Sequence, residues 1–209
     1  MYNWFAPEAP ASDGVDRRAI YGLVNRFVFF YGGNIGVAQN LDIVLRLAVD
    51  LADDARAYFL LVGEGSEAAR LAGLIEQRRL TNISIRPPIP ETEYFRLLAE
   101  MDVGLLSLDP RLTNNNFPAK LLGYLSLGKP VLAALNAGHE LFGLLEDAEA
   151  GLCAAAGDYS RLLAHARALL ADPTAARRMG EQGRRLGAER FSAPAAARQI
   201  TRHFAPAPP

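Results

Sequence analysis

Apolar and polar positions alternate along the chain with two different rhythms. Phe27–Tyr31 is a continuous apolar run of β-formers, the pattern of a strand buried on both faces of a parallel sheet. Tyr58–Val62, Ile83–Ile85, Val103–Leu108, Val131–Ala134 and Ala150–Ala155 repeat that signature at shorter or equal length. Between them the period changes. Leu41, Val44, Leu45, Ala48 and Leu51 recur at helical spacing, as do Phe95, Leu98 and Met101 after Pro90 and Glu91. Further helices are expected over Ser66–Arg79, after Pro118 and over Gly138–Asp147. Beyond them the chain reads as helix only. Asp158 can cap Tyr159–Ala171, Asp172 stands ahead of an N1 proline, and Ser192 precedes a last helix. Strands alternating with helices predict an α/β fold with a doubly wound parallel sheet joined by right-handed crossovers. Residues 1–25 carry little periodicity and read as a lead-in or linker, 26–190 as the folded domain, and 191–209 as a final helix and tail.

Composition narrows the function classes. The 209 residues carry 22 basic and 23 acidic side chains, a net charge of −1, which speaks against nucleic acid as the principal partner. Cys153 is the single cysteine, so no disulfide framework or cysteine metal site is expected; it reads as a small buried hydrophobe. His139, His165 and His203 lack metal-ligand spacing, and no Asp-x-Asp pair is present, so no metal is predicted. No apolar run reaches membrane-spanning length, and Met1–Phe5 lacks signal-peptide character. A cytoplasmic protein is expected, with peripheral membrane contact left open. From Pro173 onward there are seven arginines and two glutamates, an excess that suits a solvated helix face, docking on another domain, or anionic lipid.

In a doubly wound sheet, ligands bind at the carboxyl ends of strands. Three polar loops should meet there: Gly32–Gly36, Gly63–Gly65 and Asn114–Lys120. Pro118 marks a helix start, and the free amides of Ala119, Lys120 and Leu121 would point from that end, with the Lys120 cation beside them. A glycine loop opposite such an end can hold a diphosphate, although βα loops also use glycine simply to turn. Gly32, Gly33 and Gly36 do not fit the dinucleotide fingerprint. Gly128-Lys129-Pro130 ends a helix and is not a P-loop. His139 reads as a capping or solvated histidine, and Glu64 as a loop acid that can reach a ligand.

The order of these landmarks resembles the carboxyl-terminal domain of retaining GT-B glycosyltransferases, in the bacterial branch that builds surface polysaccharide. The motifs that carry it are Tyr31–Asp42, Leu61–Gly65, Asn82–Arg86, Ala99–Leu106, Pro118–Tyr124 with Gly128–Val131, and Ala150–Leu152 with Gly157-Asp158. The likeness covers residues from about 27 to 190. The resemblance implies a Rossmann-like half of a GT-B fold that binds a nucleoside-diphosphate sugar as donor substrate and needs no cofactor. It implies transfer with retention to a polysaccharide or lipid-linked acceptor at the membrane surface, in synthesis of the lipopolysaccharide or O-antigen type. It also implies a missing N-terminal acceptor domain, joined near Tyr2-Asn3-Trp4, without which this half would be inactive. By that resemblance Gly33 and Asn34 lie beside the diphosphate, Ile85 and Arg86 lie beside the base, and Gly32, Gly63 and Glu64 belong to the same donor site. The amides of Ala119, Lys120 and Leu121 bind phosphate, Asn116, Phe117, Pro118 and Gly123 complete the donor site, and Lys120 and Asn115 act at the reacting centre. The family often carries two glutamates eight positions apart; those positions are Asn115 and Gly123 here. Two other readings of the pattern are a nucleotide-sugar epimerase-like domain, which needs acid and base groups in its cleft, and a non-catalytic α/β binding domain.

Overall fold

The computed structural model describes residue 11, residues 13–112 and residues 117–204. Tyr2–Trp4, Asn115 and Asn116 therefore lie outside the described residues. Six strands form one parallel sheet in the order β3-β2-β1-β4-β5-β6. They are β1 Phe27–Gly32, β2 Ala57–Val62, β3 Ile83–Arg86, β4 Val103–Ser107, β5 Val131–Leu135 and β6 Gly151–Ala155. The chain winds outward from β1 to β3, returns to place β4 against β1, and winds outward again. That reversal makes the crevice at the carboxyl ends of β1 and β4 the topological switch point.

Strand parity explains the unbroken apolar runs. Phe27, Phe29 and Tyr31 enter the core cluster packed by helices α2 (Asp42–Asp50), α3 (Ala68–Gln77) and α7 (Tyr159–Ala171). Val28 and Phe30 enter the opposite cluster, under α4 (Glu91–Ala99), α5 (Lys120–Ser126) and α6 (Leu141–Asp147). Every residue of β1, β4 and β5 is buried, as a sheet covered on both faces requires. Asp158 and Asp172 cap α7 and α8 (Pro173–Arg190) by accepting from the Arg161 and Ala175 amides at 3.0 and 2.8 Å. α8 lies across α5, and a Cβ on Gly180 would overlap the Gly128 carbonyl, so this crossing admits only glycine. α9, Ala193–Phe204, follows. Cys153 is fully buried, and burial pushes its thiol up to about 12.

The segment before β1, which shows no periodicity, contains a four-residue helix, α1 (Arg17–Ile20). Charge docks it. Arg17 is 3% exposed and grips Asp13 at 2.7 Å and Glu93 at 2.7 and 2.9 Å, with Glu100 at 3.5 Å. Arg18 pairs with Asp102 and donates to the carbonyls of Glu100 and Arg26, both at 2.8 Å. Among the described residues no helix is long and apolar enough to cross a membrane.

Candidate functional site

The loop after β1 is built from backbone. The Gly33 amide donates to the Val62 carbonyl at 2.9 Å, and the Ile35 amide to the Glu64 carbonyl at 2.7 Å. A Cβ on Gly63 would overlap the Gly33 carbonyl, so the second glycine loop braces the first by close backbone approach. Gly36 donates to Gln39 Oε1 at 3.1 Å, and Asn34 Nδ2 donates to the same oxygen at 3.0 Å. Among the described residues the Asn34 amide makes no bond and remains available at the crevice.

Across the switch point, Lys120 leans over this loop. Gly33 adopts φ of +121°, and a Cβ placed there would lie 3.6 Å from Lys120 Cε and 3.9 Å from Nζ. Nζ donates to the Tyr31 hydroxyl at 2.9 Å and stands 4.2 Å from the Tyr31 ring centroid. Tyr31, fully buried, donates its own proton to the Asn34 carbonyl at 2.5 Å. No carboxylate pairs with Lys120 among the described residues, and burial alone pulls its ammonium down to about 8.

Two hollows flank this amine. The larger, about 510 Å³, is lined by Gly32, Gly33, Asn34, Val62, Gly63, Glu64, Pro88, Ile89, Glu91, Tyr94 and Phe95. Its floor is apolar and aromatic, with Tyr94 set edge-on to Phe95 at 5.3 Å. Its rim carries two exposed carboxylates, Glu64 and Glu91. The smaller, about 250 Å³, is lined by Ala38, Gln39, Leu106, Ser107, Leu108, Leu112, Phe117, Pro118 and Lys120. A cation between an aromatic hollow with an acidic rim and a smaller one of mixed lining that offers Gln39 and Ser107 suits a ligand with a central anion, a flat ring and hydroxyls.

The nominated residues divide. Gly32, Gly33, Asn34, Gly63 and Glu64 line the larger hollow, and Phe117, Pro118 and Lys120 the smaller. The Leu121 amide is not free: it donates to the Pro118 carbonyl at 3.0 Å, because the turn tightens one residue before the helix. Its side chain is fully buried. The first-turn amides without a bond among the described residues are those of Ala119 and Lys120. Ile85 pairs with Leu61, so strand parity turns it into the α2–α3–α7 core and away from the hollow. Arg86 is exposed, accepts from the Gly63 amide at 2.9 Å through its carbonyl, and does not line the hollow; Pro88 and Ile89 stand there instead. Gly123 is buried beneath Phe95, where a Cβ would meet Cε1 at 3.2 Å; it serves packing and is closed off from a ligand. His139 is buried and caps α6, its Nδ1 accepting from the Leu141 amide at 3.2 Å. Tyr31, Tyr94, Phe95 and Glu91 escaped sequence reasoning. Only Tyr31 carried a signal, a tyrosine one residue before the first loop glycine.

The family model for glycosyl transferases group 1 matches residues 16–186, more than three quarters of the chain. The chain belongs to the group 1 glycosyl transferases. Among curated relatives, the chain is 31% identical over 122 residues to WcaI of Escherichia coli K12, named for colanic acid biosynthesis. It is 26% identical over 126 residues to WbjE of Pseudomonas aeruginosa, also named as a glycosyltransferase. Those stretches cover 58% and 59% of this chain and 30% and 31% of the relatives, so it spans about a third of their length. Among solved structures, Anabaena HepE in complex with UDP has a TM-score of 0.74 at 19% identity, over 90% of this chain and 51% of that one. The C-terminal domain of LpcC, a group 1 glycosyl transferase of Francisella tularensis, has a TM-score of 0.69 at 15% identity, over 85% and 94%. These likenesses confirm the expected GT-B Rossmann-like architecture.

Proposed function

We propose that this chain is the donor-binding, carboxyl-terminal domain of a retaining glycosyltransferase of bacterial surface-polysaccharide synthesis. One observation carries it: the Lys120 amine is poised over Gly33 at the switch point, between an aromatic hollow and a smaller one of mixed lining. The diphosphate of a nucleotide sugar would lie beneath Nζ, reached by the Asn34, Ala119 and Lys120 amides. The nucleoside would occupy the larger hollow, its hydroxyls within reach of Glu64 and Glu91, and the transferred sugar the smaller. As the anomeric carbon parts from the diphosphate, negative charge grows on the leaving oxygen. A half-buried lysine and fixed amides stabilise that charge better than water, because they need no reorganisation. No cofactor or metal enters this reading.

Family membership and the relatives' names support glycosyl transfer over the epimerase-like and non-catalytic readings. The match to nearly the whole LpcC C-terminal domain supports a carboxyl-terminal half. In this reading a partner domain would hold the acceptor, at the inner membrane face. Calorimetric titration of the 209-residue chain with UDP, GDP and their sugars tests the donor site. Binding that weakens in Lys120→Ala is expected. No heat with any nucleotide, or affinity untouched by that substitution, overturns the reading.

A further inference from the structure

We infer that Tyr31 is a positioning residue: its hydroxyl ties Lys120 to the glycine loop and thereby sets the grip on the donor diphosphate. This rests on the donor-site reading above. The hydroxyl has one proton and two lone pairs. The proton goes to the Asn34 carbonyl, which can only accept, at 2.5 Å. Lys120 must therefore be the donor in its 2.9 Å contact with the same oxygen. One atom thus joins the loop after β1 to the first residue of α5, two elements that diverge at the switch point. The ring beneath the amine, 4.2 Å from centroid to Nζ, blocks its collapse toward the sheet. An ammonium has three N–H donors. Tyr31 uses one, and the others are left for phosphate oxygens.

An unpaired lysine on four flexible carbons loses rotamer entropy when it is fixed. Here Tyr31 is the hydrogen-bond partner that fixes it before the ligand arrives, since no carboxylate among the described residues does so. Tyr31→Phe keeps the ring and the packing and removes only the shared oxygen.

The test is a double-substitution cycle on the 209-residue chain, with UDP titrated into wild type, Tyr31→Phe, Lys120→Met and the double variant. Tyr31→Phe is expected to weaken binding about five- to tenfold, the scale of one ordinary intramolecular hydrogen bond. The same change in the Lys120→Met background is expected to cost nothing further. Equal losses in both backgrounds overturn the role given to Tyr31 while leaving the donor site standing. Wild-type chain that takes up neither UDP nor GDP overturns the donor site itself and this role with it.

A ligand-free readout comes from the chain's two lysines, Lys120 and Lys129, which give two resolvable Cε–Nζ correlations in labelled protein. Tyr31→Phe should shift the Lys120 signal and leave Lys129, bonded to the Ala99 carbonyl at 2.6 Å, where it is. If Tyr31→Phe does not fold, Lys120→Met reads the contact from the other side. The Tyr31 Cζ resonance should move, and an unmoved one overturns the tether.

Discussion

Raising the pH should detach a diphosphate ligand from this domain, and the size of the effect follows from one side chain. Burial pulls Lys120 down to about 8 from the ordinary lysine value. A bound diphosphate favours the charged form, so the complex holds that proton to higher pH than the free chain does. At pH 7 about nine in ten free molecules already hold the proton, and the penalty is negligible. At pH 9 about nine in ten free molecules have lost the proton, so binding must first recover it, a penalty of about tenfold. The phosphate adds no slope there, because its last ionisation lies near 6. Tyr31 and Tyr94 are pushed upward by burial and stay protonated throughout. Calorimetry with UDP at pH 7, 8 and 9, in two buffers of different ionisation enthalpy, reads both affinity and proton uptake. About one proton taken up at pH 9 is expected. Lys120→Arg, charged at every pH tested, should show a flat profile. Wild-type affinity that stays constant from pH 7 to 9, or an equal fall in the arginine variant, refutes the reasoning. Fold stability should move the opposite way. The folded-state value of Lys120 lies below its unfolded one, so the unfolded chain binds more protons between about 8 and 10.5. Stability therefore rises with pH across that window. Lys129, lowered to about 8 chiefly by burial, adds to the rise without touching affinity.

Three further substitutions test the packing around the site. In an open helix Gly180→Ala would stabilise by about 1 kcal/mol. Here the new methyl overlaps the Gly128 carbonyl, so a loss of about 1–3 kcal/mol in urea unfolding is expected; a raised midpoint would show the crossing to be loose. Gly123→Glu should lower the melting temperature, at a cost of about 2 kcal/mol or more, since its carboxylate would enter apolar space beneath Phe95. Wild-type stability with tighter UDP binding would mean that Phe95 yields and the position opens to the ligand. Asp172→Ala removes the acceptor for the Ala175 amide and should cost about 1 kcal/mol of stability. Nucleotide affinity should stay the same, checked by denaturation and titration of one preparation.

What the chain pattern revealed was decided by local physics. β1, β4 and β5 are buried on both faces, so nearly every position is apolar, Ser107 at the end of β4 excepted, and the run announced the strand. The caps at Asp158 and Asp172 were visible because a cap acts over three residues. Other features depend on partners far away in sequence. Arg17 is held by Glu93 and Glu100, which no window around α1 contains, and four residues are too few for a helical period. Ile85 illustrates the limit of a motif: its strand was legible, but register against Leu61 turns its side chain to the face away from the larger hollow. Pairing parity would have corrected that before any coordinates.

Gly123 poses the harder question, because its meaning lies in Phe95. The glycine leaves room for an aromatic ring, and that ring helps floor the larger hollow. If the hollow takes a nucleoside as proposed, the lack of a carboxylate at this position leaves the ribose to the rim, where Glu64 and Glu91 stand. The anion then depends on fewer charges, and in the described site the side-chain cation is Lys120 alone, aimed by Tyr31. Such a site has little redundancy. A substitution that merely misdirects Lys120 should therefore approach the cost of removing it, whereas a site with several cations would absorb the change.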